Sequence, residues 1–171
     1  ETYVTGKWDL GRTPELIPRA RGFDRDFVML DSHGSHYDMT NIYADNPKLV
    51  FTEDGKYLES LPKNYYSSKT YTDKMISFIE DGRESEKPFF AYLAYQAPHD
   101  PHHVDEPWRS MYQGVYDRGW TQFHRGRFKA QKEMGLLPEG VELAERYWYL
   151  PDSEILAPIA RATLGRHMEL Y

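Results

Sequence analysis

With 171 residues, 40% of them hydrophobic, the chain can bury one core and is too short for two well-packed domains. A net charge of −6 gives no electrostatic reason to expect a nucleic-acid partner, and an anionic ligand would need a local patch of positive charge. The absence of cysteine excludes disulfides and thiolate metal sites, and no apolar run is long enough to span a membrane.

In chain order, Thr2-Tyr3-Val4 suits a short strand that ends at a turn at Gly6-Lys7, so Lys7 emerges at a strand end. Residues 11–22, with Pro14, Pro18 and flanking glycines, read as an irregular loop. Phe23 to Leu30 fits a strand or a helical turn equally, and Asp31 to Tyr43 is polar and rich in Gly, Ser, His and Asn. Leu49 to Tyr57 resembles a small hairpin turning at Asp54-Gly55. Ser67 or Ser68 can cap a helix through about Asp81, because Tyr71, Met75, Phe78 and Ile79 recur at helical spacing and Gly82 lies just past its end.

Phe89 to Tyr95 is almost continuously apolar and reads as a strand buried on both faces, stopped by Pro98 and Pro101. His99 falls just past its end, where open α/β sheets bind ligands. A helix leading into a buried strand is half of a β-α-β pattern, so the fold class is α/β with a mostly parallel sheet. Residues 107–116 are irregular; Asp117 then caps a basic helix through Met134, weakened by Gly119 and Gly126. A last helix begins after Pro151 or Pro158 and runs to Tyr171.

The segment Pro-Phe-Phe-Ala-Tyr-Leu-Ala-Tyr-Gln-Ala-Pro-His at residues 88–99 resembles the sulfatase family, in particular its arylsulfatase branch. Thr5-Gly6-Lys7-Trp8-Asp9-Leu10-Gly11 resembles that family's Gly-Lys-Trp-His-Leu-Gly motif and is followed by Pro18 to Asp24. The stretch from Tyr112 to Trp120, with the basic run ending at Gly135 to Pro138, is similar to the segment after the His loop in those enzymes. The resemblance implies an alkaline-phosphatase-like α/β/α sandwich and the hydrolysis of a small-molecule or glycan sulfate ester. A phosphonate or phosphate monoester hydrolase of the same superfamily is the alternative enzyme, and a degenerate, non-catalytic binder of sulfated ligands is the alternative outside catalysis.

The resemblance also implies a formylglycine nucleophile, made from a Cys/Ser-x-Pro-x-Arg signature, and a calcium ion held by acidic pairs. Neither the signature nor those pairs occur among the 171 residues, which open within a motif. Residues 1–171 are therefore expected to be an internal part of a sulfatase catalytic domain, inactive alone, with calcium belonging to the full-length parent. A periplasmic or secreted setting is compatible with the resemblance; the sequence itself carries no compartment signal.

Two residues match the family's chemistry: Lys7, which contacts the sulfate and leaving oxygen there, and His99, which resembles the imidazole on the sulfate or leaving oxygen. Asp9 stands where the family has His. On an extended backbone residues 7 and 9 share a face, so Asp9 borders the same cleft. A carboxylate about 4 Å from a sulfate oxygen would oppose it by about 4 kcal/mol at an effective dielectric of 20, so Asp9 must pair with Lys7 or another cation, protonate or turn away. His36 resembles a family residue near the pocket rim and joins Lys7, His99 and Asp9 as a substrate-binding candidate.

No metal ligand is assigned: adjacent His102 and His103 converge poorly on one ion, and His33 with His36 lacks a fixed ligand frame. His124 and the run Arg118, Arg125, Arg127, Lys129 and Lys132 read as a solvated helix face.

Overall fold

A computed structural model describes residues 1–42, 46–144 and 152–170, and these fall into two units, residues 1–103 and 104–171. The first unit is built on β1 (Thr2–Lys7), flanked in parallel by β2 (Arg25–Met29) and β5 (Phe90–Ala94). Beyond β2, the strands β3 (Phe51–Glu53) and β4 (Lys56–Tyr57) add antiparallel, giving five strands in the order β4-β3-β2-β1-β5. The stretch that fitted strand or helical turn is thus a strand, β2, and its Phe27, Val28 and Met29 are fully buried. Asp54 and Gly55 both take positive φ, 47° and 77°, the backbone a two-residue hairpin requires and a reason for Asp-Gly there.

Period-two alternation sorts the strand side chains onto two apolar layers. On one face Tyr3, Phe27, Met29 and Phe51 meet Tyr71, Met75 and Phe78 of α1 (Ser67–Asp81), and Thr5 Oγ1 donates to the Tyr71 carbonyl at 3.0 Å. On the other face Val4, Val28 and Leu30 pack with Trp8 and Ile17, under the segment that contains the 3₁₀ turn Pro18–Arg21. Burying a side chain the size of Phe78 stabilises by about 1.5–3 kcal/mol, so α1 is held by its packed face. Its first turn has no side-chain cap; Tyr66 takes the N-cap position, and neither Ser67 nor Ser68 serves as expected.

Within these 171 residues β5 is not buried on both faces, the exposure expected of such a strand in an internal part of a larger domain. It lies at the end of the strand order with β1 as its one neighbour, so Phe90 is 58% and Tyr92 49% exposed.

The register between β1 and β5 is fixed by close approach. Gly6 sits opposite Ala94 with φ 115°, and a Cβ there would lie 1.8 Å from the Ala94 carbonyl oxygen.

The second unit contains α2 (Trp108–Met111), α3 (Trp120–Glu133) and α4 (Pro158–Leu170). Gly119, not Asp117, takes the N-cap position of α3, and the Thr121 N–H is met by Ser153 Oγ at 3.2 Å. No residue of α3 is buried, and Arg127 and Lys132 lie over the rings of Phe123 and Phe128, as a solvated basic face would have it. Of the limits expected for the last helix, Pro158 is observed, while Pro151 and Tyr171 lie outside the described residues.

Candidate active site

Parallel pairing sends β1 and β5 off the sheet at the same edge. With Gly6 opposite Ala94, Lys7 is the last residue of β1, and His99 follows five residues after the end of β5. After Trp8 the chain bends: Asp9 takes φ 58°, a left-handed conformation that Asp, Asn and His adopt more readily than other residues with a side chain. The bend is secured by Trp8, whose N–H donates to the Met29 carbonyl at 2.8 Å and whose indole Nε1 donates to the Leu16 carbonyl at 2.8 Å. Asp9 Oδ2 then stands 3.8 Å from Lys7 Nζ, the first of the courses open to it; the two side chains are 53% and 23% exposed.

Next along this edge, Asp31 follows β2. Its buried carboxylate accepts the Val50 N–H at 2.7 Å and pairs with Arg12, which reaches in from the loop after β1. Sequence reading did not single out this pair, since neither residue falls in a motif.

His99 is half-exposed. Its Nδ1 lies 2.7 Å from the carbonyl of Asp100 and 3.0 Å from that residue's carboxylate, while its ring stacks on His33 at 5.5 Å with the planes 5° apart. The loop is tied down on both sides of His99. Gln96, buried, donates through Nε2 to the Gly34 carbonyl at 2.6 Å; His103 Nδ1 accepts from the His36 N–H at 3.4 Å and its ring stacks on Tyr37. Tyr37 in turn stacks on Tyr66, whose hydroxyl donates to the His103 carbonyl at 3.4 Å.

His36, expected near a pocket rim, is 1% exposed. Its Nδ1 lies 2.7 Å from Ser67 Oγ and its carbonyl accepts the Ser67 N–H at 2.9 Å. Burial pushes the imidazole down to about 4, aided by the positive charge that His103, His102 and His99 can carry; the His99 backbone carbonyl works against this. The ring is accordingly neutral at pH 7. Ser67 and Gln96, with partners 31 and 62 residues away, were beyond sequence reasoning.

This edge offers an ammonium at Lys7, an exposed imidazole at His99 and a rigid backing for the second, which suits binding an oxyanion and moving a proton beside it. Among the described residues no group of three or more His, Cys, Asp or Glu side chains could hold a metal ion.

Comparison with known proteins identifies the edge's setting. A model of the sulfatase family matches residues 1–157. The chain belongs to the sulfatase family. Among sulfatase relatives, it is 36% identical over 147 residues to an uncharacterized sulfatase of Schizosaccharomyces pombe, covering 82% of this chain and 26% of that protein. It is 30% identical over 178 aligned positions to an arylsulfatase of Klebsiella aerogenes, covering 99% of this chain and 36% of that protein. The crystal structure of Ps i-CgsB in complex with k-i-k-neocarrahexaose superposes with a TM-score of 0.54 at 26% identity, over 67% of this chain and 27% of that one. The mixed α/β sheet is consistent with the alkaline-phosphatase-like fold of sulfatases. The chain thus spans between about a quarter and about a third of the length of these relatives.

Proposed function

We propose that the protein carrying this chain hydrolyses sulfate esters in the manner of an arylsulfatase, with Lys7 and His99 as its catalytic residues here. The observation that supports this most is the parallel pairing of β1 with β5, which brings the ends of two sulfatase-like motifs to one sheet edge. Cleavage breaks the bond between sulfur and the ester oxygen as a nucleophile bonds to sulfur. The Lys7 ammonium would neutralise non-bridging sulfate oxygens, and the His99 imidazole would deliver a proton to the departing oxygen. Without substrate, Asp9 holds the ammonium near the edge; a bound sulfate competes with that carboxylate for it.

The formylglycine nucleophile and the calcium ion that the resemblance implies are assigned to residues other than those described, and no step of the proposed reaction runs through the metal. The substrate class is an aryl or glycan sulfate ester, the second supported by similarity to a protein crystallised with an oligosaccharide. The Lys7–Asp9 ion pair favours a second reading, a non-catalytic binder of sulfated ligands, because it occupies the cation a reaction would use. Incubating the full-length protein with nitrophenyl sulfate separates the two. Release of nitrophenol that is lost in Lys7→Ala and His99→Ala supports the enzyme; binding of a sulfated ligand with no turnover supports the binder.

A further inference from the structure

Past Ala94 the chain that carries His99 has no strand or helix of its own until the second unit, so its shape comes from the groups that grip it. A turn in which the His99 N–H donates to the Gln96 carbonyl at 3.1 Å holds the backbone, and the ring is gripped at two further places. At its edge, Nδ1 lies 2.7 Å from the Asp100 carbonyl oxygen and 3.0 Å from Asp100 Oδ1. On its face lies His33, with ring centroids 5.5 Å apart and planes 5° from parallel, within the range of about 4.5–7 Å in which offset aromatic rings attract. His33 stands between two fixed points: Asp31 accepts the Val50 N–H at 2.7 Å and pairs with Arg12, and the Gly34 carbonyl accepts from Gln96 Nε2 at 2.6 Å.

Carbonyl and carboxylate oxygens accept and do not donate, so the ring nitrogen beside both of them carries a proton. A bare Nδ1 would set its lone pair against two oxygens. The neutral ring is thus the Nδ1–H tautomer, and its Nε2 has no proton to give. Delivering one to a departing oxygen requires a second proton on the ring, and the positive charge that comes with it lies beside the Asp100 carboxylate.

We infer that Asp100 and His33 are positioning residues for His99, the first holding its Nδ1–H and balancing the charge of the imidazolium, the second fixing the plane of the ring, so that Nε2 is the nitrogen that meets the leaving oxygen. As the sulfur–oxygen bond breaks, its electron pair goes to the ester oxygen, which takes the Nε2 proton. The ring is left neutral with Nδ1–H in place and, being half-exposed, regains a proton from solvent. Neither Asp100 nor His33 touches substrate. Their effect on turnover rests on the proposed sulfatase reaction, while the tautomer and the stack do not depend on that reading.

Spectroscopy and kinetics test the two residues separately. In the full-length protein with labelled histidine, the neutral His99 ring is expected to show a protonated Nδ1 and a bare Nε2. Its carbon-bound protons are expected to be shifted upfield by the ring of His33, to move back in His33→Ala and to stay shifted in His33→Phe. A neutral ring protonated on Nε2 overturns the hold at Asp100, and ring protons indifferent to His33→Ala overturn the stack. With nitrophenyl sulfate, His33→Ala is expected to lower kcat by about tenfold to a hundredfold at nearly unchanged KM, the scale of a catalytic group displaced by about an ångström, and His33→Phe to restore it. Asp100→Ala keeps the backbone carbonyl, and with it the tautomer, and is expected to lower kcat by about twofold to fivefold, the scale of a half-exposed ion pair. Wild-type kcat in either alanine variant overturns that residue's part whatever its melting temperature, and equal losses in His33→Ala and His33→Phe overturn the role of the stack. Absence of turnover in the wild type would count against the reaction, and the ring measurements would still decide for or against the two contacts.

Discussion

Lys7 and Asp9 meet at 3.8 Å, and their exposure decides how much that contact weighs. A half-exposed ion pair contributes up to about 1 kcal/mol, so freeing Lys7 by Asp9→Asn is expected to lower the KM for a sulfate ester by up to about fivefold. Asp9→His should fold normally, since histidine tolerates the left-handed backbone at this position. Lys7→Ala is expected to lower kcat by about a hundredfold to a thousandfold, the usual cost of removing one oxyanion donor, with no change in the melting curve. Steady-state kinetics and thermal melts of the three variants check all of this. Lys7 and His99 fall at or past strand ends as the residues around them suggested, whereas Asp9 shares no extended face with Lys7, because β1 ends at Lys7 and Asp9 takes φ 58°. Ser67, Gln96 and Arg12 were not legible: their partners lie far along the chain, and nothing local marks a serine or a glutamine as buried.

Among the elements, α1 was legible nearly to the residue, because its apolar face repeats at helical spacing and packs on one sheet face. Its start was misread because Ser67 spends its hydroxyl on His36, not on the helix N–H groups. The hairpin was legible from Asp54-Gly55 for a backbone reason, while β5 was legible as a strand but not in its place. Phe90 and Tyr92 alternate onto one face of that edge strand, which combines exposed aromatic surface with unpaired backbone groups. Such an edge recruits other chains. Sedimentation velocity of the 171-residue chain is expected to show concentration-dependent association, and Phe90→Lys with Tyr92→Lys to reduce it; a concentration-independent monomer would contradict this.

For the molecule as a whole, the α/β class was legible from a helix leading into an apolar strand, whereas the division near His103 was not read from the polar stretch 98–107, with its three prolines, in which it falls. The pH response also belongs to this scale. His36 falls from its ordinary value of 6.5 to about 4, so between those limits the unfolded ring binds a proton that the folded ring refuses. Stability is therefore whole above pH 6.5 and declines as pH drops toward 4, by about 3 kcal/mol at most from this group. Asp26 acts the opposite way: burial raises its carboxyl, so its contribution is better kept in acid. Thermal melts from pH 7 to pH 4 are expected to fall in midpoint, and less steeply in His36→Gln.

Gly6 contributes no side chain, yet a single added carbon there would collide with the Ala94 carbonyl oxygen. Forcing the two strands apart would carry Lys7 away from His99 while leaving both chemically whole. A genetic screen that scores lost turnover would therefore return Gly6 beside the two residues proposed as catalytic and make it look like a third. Small amines supplied in solution tell them apart: they can stand in for a missing lysine, as in Lys7→Ala, but no solute can restore a spacing, so Gly6→Ala would stay silent.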